Sequence, residues 1–247
     1  MAKVILFDLD GTLLPMDTEA FVKNYLKELA PKVAHLMDPN DFVKALLAGT
    51  EAMFTNLEAD KSNEKVFEEK FLSLVNVKRD EIWPILDEFY SKTFPTFSYL
   101  CEPTDIARKV VEEAIGQGFR VAVATNPVFP KAAIYHRLKW AGIDDLPFEL
   151  VTVYEESMFT KPHKEYYEYI SNHLGVKPEE CIMVGNDKQE DMSASLLGMK
   201  TFLVEGYVID RGEPQYNIDD KGSLEDLYEK LSNGESIFKQ EIYKQDS

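Results

Sequence analysis

Two carboxylates stand one residue apart at the end of an apolar run near the start of the chain, Val4-Ile5-Leu6-Phe7-Asp8-Leu9-Asp10-Gly11-Thr12-Leu13. Such a run is the pattern of a strand covered on both faces, as in a parallel sheet. Side chains alternate along a strand, so Asp8 and Asp10 would point to one side if extended backbone continues through them. Burying two carboxylates without a partner is costly. A hard divalent cation, which takes oxygen ligands, would satisfy both. Gly11 permits a tight departure of the backbone, and the Thr12 hydroxyl can hold the local geometry. The plainer alternative is a strand ending in an Asp-Gly turn.

Three later stretches carry groups that could act with this pair. Phe119 to Asn126 reads as a second strand ending in a hydroxyl and an amide, Thr125 and Asn126. Those groups could bind anionic oxygens, or simply end the strand in a turn. Lys161 lies in Thr160-Lys161-Pro162-His163; alone it would be a solvated lysine, and His163 a capping or exposed residue. Cys181 to Asp191 reads as a buried strand running into an acidic loop, with Asn186, Asp187, Glu190 and Asp191. Acids in that place would also suit a helix N-terminus.

Taken together and in this order, the four stretches resemble the motifs of the haloacid dehalogenase-like (HAD) superfamily, most of whose members are phosphatases. The resemblance frames residues 4 to about 204. It implies that Asp8 is a nucleophile toward phosphorus and that Asp10 is the general acid and base. It implies that Thr125, with Asn126 beside it, and Lys161 hold the phosphoryl oxygens, and that Mg²⁺ is held by Asp8, Asp187 and the backbone carbonyl of Asp10. Asp191 would stand behind these, holding Lys161 or a metal-bound water. Two departures are visible: Lys164 replaces a usual second proline, and Asn186 stands where many members carry an acid, which leaves the ligand register open by one residue.

The elements between the motifs must position them. After Leu14-Pro15 the apolar spacing turns helical. Thr18 is the expected N-cap of a first helix carrying Phe21, Tyr25 and Leu29, and a second begins at Asp38-Pro39. Ser62 caps a third. Asp80 caps a fourth, with Pro84 in its first turn. No strand pattern occurs from residue 14 to about 100, and a structureless link of that length is improbable in a compact domain. The expected fold is therefore α/β, a doubly wound parallel sheet core of residues 1–14 and 101–247, with an all-helical cap of residues 15–100. The cap's aromatic residues, and His35, are expected in its own core or on its surface rather than on substrate. Further helices are expected after Thr104, from Ala132 to Trp140, from Tyr166 to Leu174, up to Gly198, and from Ser223 to Leu231. Short strands are expected over Glu149–Tyr154 and Lys200–Val204, with a frayed tail beyond Ser232.

Composition narrows the function. With 44 acids against 27 Lys and Arg, the net charge is −17, which repels nucleic acid and anionic lipid surfaces. The absence of a leader pattern or a long apolar span, and two distant cysteines, Cys101 and Cys181, suit a reduced, cytoplasmic setting. The expected activity is Mg²⁺-dependent hydrolysis of a small-molecule phosphomonoester through an aspartyl-phosphate. A sugar phosphomutase would use the same motifs, and a phosphate-binding regulatory protein would leave them unused. A dehalogenase is disfavoured, since the second acid, Asp10, and a metal belong to the phosphoryl-transfer branch.

Overall fold

The structure, a computed structural model, describes residues 2–239. The apolar run near the start forms β1 (Val4–Phe7), buried throughout. With β2 (Arg120–Val123), β3 (Cys181–Gly185), β4 (Lys200–Val204) and β5 (Asp220–Gly222) it makes a parallel sheet of order β2-β1-β3-β4-β5. Alternation along the strands separates two cores. Ile5, Phe7, Val121, Val123, Ile182 and Val184 face α5 (Asp105–Gly116), α6 (Lys131–Trp140) and α8 (Leu224–Asn233). Val4, Leu6, Ala122, Cys181 and Met183 face Tyr166, Tyr167 and Ile170 of α7 (Lys164–His173). The sheet is thus covered on both faces. Phe7 pairs with Val123 and Val184, so Asp8, Thr125 and Asn186 emerge from adjacent strands at one edge. The chain leaves β1 for neighbours on both sides, and such switch points are where open α/β sheets bind ligands.

Between β1 and β2 lie α1 (Thr18–Leu29), α2 (Pro39–Thr55), α3 (Asn63–Leu74) and α4 (Arg79–Glu88), then a π-turn, Phe89–Thr93, and a 3₁₀ segment, Phe94–Leu100. An antiparallel bridge between Met16 and Cys101 joins the two ends of this helical insertion. Its aromatics pack mainly on one another: Phe21 meets Phe94 and Phe97 edge-on at 5.8 and 6.1 Å. His35 is exposed.

Several boundaries differ from the sequence expectation. Asp17, rather than Thr18, caps α1, its Oδ1 accepting the Ala20 N–H at 2.9 Å. The N-cap of α4 is Lys78, with Glu81 accepting its backbone N–H at 2.8 Å, which puts Pro84 inside the helix. Ser62 caps α3 as expected, and Asp38, at the expected start of the second helix, caps α2. Residues 149–152 run beside β2 through three backbone hydrogen bonds but form a single bridge, Val123 to Val151. Beyond Asp191 the chain winds as a 3₁₀ segment to Leu197, not an α-helix. Ser193 and Ser195 donate to the carbonyls three residues back, a local bond that competes with α-helical geometry. β5 was hidden in a polar, turn-rich stretch. The tail is ordered further than expected, because Phe238, 1% exposed, packs on Phe202; residues 240–247 of the expected frayed tail lie outside the described residues.

Both cysteines are free and buried, and burial pushes each thiol up to about 12. Thiolate is the reactive form, so neither should react with a disulfide reagent near pH 8 in the folded protein. Titration should count two thiols only after denaturation. Fast labelling of the native chain would show that these walls open.

Candidate active site

The site is built on the three strand ends. Asp8 follows β1, and each of its oxygens has a partner: Lys161 Nζ lies 2.8 Å from Oδ1, and the Thr12 hydroxyl donates to Oδ2 at 3.2 Å. Thr12 also donates to Asn186 Oδ1 at 3.0 Å, so an oxygen of Asp8 and one of Asn186 converge on one hydroxyl. The turn at Gly11 makes this possible, since its φ is +81° and a Cβ there would lie 2.3 Å from Asn186 Nδ2.

Lys161 is 1% exposed and stands between two carboxylates, with Asp191 Oδ1 at 2.6 Å. Burial disfavours its charge, but Asp191 and Asp8 outweigh burial and hold the ammonium well above the ordinary lysine range. Burial alone would push the Asp191 carboxyl up. With Lys161 on one oxygen and the Asp187 N–H on the other at 2.9 Å, the ion pair is the form the geometry favours. Asp191 comes this close because Gly185 has no side chain: a Cβ would lie 2.1 Å from Asp191 Oδ2. Tyr167 donates to the Glu190 carbonyl at 2.7 Å and fixes the same loop from behind.

Asp10 is paired with Arg137 of α6, a buried arginine that stacks over Phe129. Its other oxygen, Oδ1, is buried without a hydrogen-bond partner among the described residues. Burial raises the Asp10 carboxyl above its ordinary value; Arg137 opposes this and the Asp8 charge adds to it. Thr125 lines the same cavity as Asp8 and Asp10. Its carbonyl is anchored by the Thr152 hydroxyl at 2.7 Å and by Tyr166 at 2.9 Å. Asn126 donates to Glu190 at 2.8 Å and accepts the Lys161 N–H at 3.3 Å.

Asp187 also lines the cavity, but its carboxylate is engaged by Arg211, whose Nη1 lies 2.8 and 2.7 Å from the two oxygens. The structure thus brings all seven expected residues to one end of the sheet. Asp8, Lys161 and Asp191 are in direct contact. Asp187 reaches that trio through its backbone N–H to Asp191, and its side chain pairs with Arg211. His163 occupies the N-cap position of α7 without a side-chain capping bond and is half-buried; its Nε2 lies 2.6 Å from the Phe54 carbonyl and ties the loop to α2.

Arg137 and Arg211 are the functional side chains that sequence reasoning missed. Arg137 sits in a helix reading Lys-Ala-Ala-Ile-Tyr-His-Arg-Leu-Lys-Trp, among other basic residues, and Arg211 in a polar loop. Neither position carries a local signal that would single it out.

The carboxylates of Asp8 and Asp187 and the amide oxygen of Asn186 lie in or beside the cavity, and such oxygen ligands suit Mg²⁺. The backbone carbonyl of Asp10 accepts no backbone hydrogen bond among the described residues. No three acidic, histidine or cysteine side chains among those residues converge to hold a metal. The residues present therefore fit a cation that takes one or two carboxylates, a carbonyl and waters, the habit of Mg²⁺, and not an all-carboxylate cage.

The sheet order, the three strand-end motifs and the buried lysine define a class. The chain belongs to the haloacid dehalogenase-like hydrolase family, whose model matches residues 2–195. Among its curated relatives, pyrophosphatase PpaX of Halalkalibacterium halodurans is 25% identical over 209 residues, 85% of each chain. PpaX of Bacillus cereus is 24% identical over 200 residues, 81% of this chain and 82% of that one. Among solved structures, a HAD phosphatase from Thermococcus onnurineus superposes with a TM-score of 0.58 at 20% identity, covering 94% of this chain and 98% of its own. The HAD-hydrolase YfnB of Bacillus subtilis, bound to magnesium, gives 0.55 at 20% identity over 93% and 98%. L-2-haloacid dehalogenase of Xanthobacter autotrophicus gives 0.56 at 14% identity over 94% and 98%. At these identities the structural likeness speaks to the fold alone. No helix among the described residues is long and apolar enough to cross a membrane.

Proposed function

We propose that the protein is a Mg²⁺-dependent phosphatase acting on a small-molecule phosphomonoester, with residues 15–100 as a cap over a core of residues 1–14 and 101–247. The observation that carries this reading is the buried Lys161 ammonium, 2.8 Å from Asp8 and 2.6 Å from Asp191, two carboxylates that line a cavity together with Asp10, Thr125 and Asn126.

Asp8 attacks phosphorus: its oxygen bonds to phosphorus as the ester P–O bond breaks, a recognised covalent strategy for carboxylates. Asp10, whose carboxyl is raised by burial, gives its proton to the departing alcohol oxygen. A water then gives a proton back to Asp10 and attacks phosphorus. The Asp8–phosphorus bond breaks, phosphate leaves, and both acids are restored. Lys161 faces the nucleophile throughout, and Thr125 with the Asn126 amide positions the phosphoryl oxygens. Arg137 keeps Asp10 in place at the cavity wall. Mg²⁺, when bound, neutralises charge so that an anionic nucleophile can meet an anionic phosphate.

Asp8 and the Asp10 carbonyl would hold the metal, with a third donor from the Asn186–Asp187 pair. Asn186 Oδ1 already shares the Thr12 hydroxyl with Asp8, whereas Asp187 would first have to exchange Arg211 for the cation. Asn186→Ala should therefore raise the half-saturating Mg²⁺ concentration by roughly 10–100-fold, a loss on the scale seen when groups around a metal are removed. Asp187→Asn should raise it less. The reverse order would move the ligand to Asp187.

The activity itself is tested by phosphate release over sugar phosphates, phosphoglycolate, nucleotides and amino-acid phosphates, with Mg²⁺ and with EDTA. Release that depends on Mg²⁺ is expected. Isomerised sugar phosphate without phosphate release would instead mark a mutase.

A further inference from the structure

Resting on the phosphatase reading, we infer that the leaving group of the substrate is an uncharged, largely apolar alcohol, aromatic or alkyl, rather than a second anion or a sugar. The cavity that opens above Asp8 has a volume of about 330 Å³, within the range of small-molecule sites. Its two halves differ sharply in chemistry. The end at the sheet is lined by Asp8, Asp10, Thr125, Asn126 and Asp187. The end formed by the helical insertion is lined by Leu26, Leu46, Phe54, Phe67, Trp83 and Leu86.

Three hydroxyls at that end are engaged with each other or with backbone. The Thr50 hydroxyl donates to the Leu46 carbonyl at 3.0 Å. The Tyr25 and Tyr90 hydroxyls lie 2.7 Å apart and bond to one another. Both phenols are pushed up by burial, so neither brings charge to the wall.

The distribution of charge decides what can sit there. Among the described residues lining the cavity, Arg211 is the single cation, and it is held by Asp187 at 2.7 Å and by Glu190 at 3.5 Å. The insertion contributes one ionic side chain to the lining, Asp87, which is negative. The carboxylate of phosphoglycolate or the second phosphate of pyrophosphate would be desolvated against aromatic and aliphatic carbon, near an acid and without a counter-ion. Burial of unpaired charge is strongly unfavourable. A sugar would place several hydroxyls where few partners remain. An aryl or alkyl group would meet Trp83, Phe67 and Phe54 and gain from leaving water. Specificity is thus divided between the two ends, phosphate below and carbon above.

The test is a homologous series, because n-alkyl phosphates keep the leaving oxygen chemically alike while adding carbon. With Mg²⁺ and wild-type protein, kcat/KM should climb from methyl through butyl to hexyl phosphate, by about threefold to fourfold for each methylene that the cavity buries. Phosphoglycolate and pyrophosphate should lie at least 10-fold below hexyl phosphate. Leu47, 50% exposed at the cavity edge, accepts a cation without disturbing the core: Leu47→Arg should lower kcat/KM for hexyl phosphate and raise it for phosphoglycolate. A flat or falling series, or wild-type preference for phosphoglycolate or pyrophosphate, overturns the inference and leaves the phosphatase standing. Failure to release phosphate from any ester overturns both.

Discussion

Asp8→Asn should lower phosphate release by about four orders of magnitude or more at saturating Mg²⁺, the scale of loss when a nucleophile is removed from a covalent mechanism. The substitution keeps the size of the side chain and one carbonyl oxygen, so the Thr12 bond at 3.2 Å can persist and the strand end need not move. What disappears is the charged oxygen proposed to attack phosphorus. Thr125, Asn126 and Lys161, the groups proposed to hold the phosphoryl oxygens, remain, so substrate can still enter the cavity and be held. Binding of a phosphomonoester without turnover is therefore the expected state of the variant. Phosphate release within 10-fold of wild type would mean that another group attacks phosphorus.

Lys161→Met is the second large effect, and it acts on stability as well as rate. The ammonium is 1% exposed and bonds Asp8 and Asp191, whose side chains are 9% and 1% exposed. Removing it strands two buried carboxylates, and breaking a buried pair by deleting one partner costs about 3–5 kcal/mol. For a chain of this size that corresponds to a fall in Tm of about 10 °C. Lys188→Met is the matched control, since Lys188 and Asp210 pair at 2.8 Å with 28% and 39% exposure. Exposed pairs contribute roughly 0–1 kcal/mol, so thermal denaturation should barely register that change. Equal Tm values for the two variants would show that the Lys161 pair is not a buried one.

Much of the fold was legible because its signals are local. The unbroken apolar strands, the Ser62 and Asp38 caps, and the acids at strand ends are each visible within a few residues. Partners at long range were not. Arg137 reaches Asp10 across 127 residues and Arg211 reaches Asp187 across 24, and no pattern near either arginine marks it out. The alternation of strand residues foretold which faces are buried, but helical spacing could not say which insertion side chains face the cavity. Leu46 and Leu47 both line it, although one is 8% and the other 50% exposed. After Asp191 the expected α-helix is a 3₁₀ segment in which two serines bond back to carbonyls three residues earlier, a local competition that hydrophobic periodicity does not encode. The departure at Asn186 matters more than its single letter suggests, because its amide oxygen shares the Thr12 hydroxyl with Asp8 while the Asp187 carboxylate pairs with Arg211.

The account rests on a phosphoryl group passing through Asp8. Acid quenching of a single turnover with a ³²P-labelled phosphomonoester and Mg²⁺, followed by peptide mapping, reads this directly. Label should appear transiently on the peptide that contains Asp8, be released by hydroxylamine, and be absent from Asp8→Asn. Label on a different peptide, or full turnover with no labelled protein at any quench time, would contradict it.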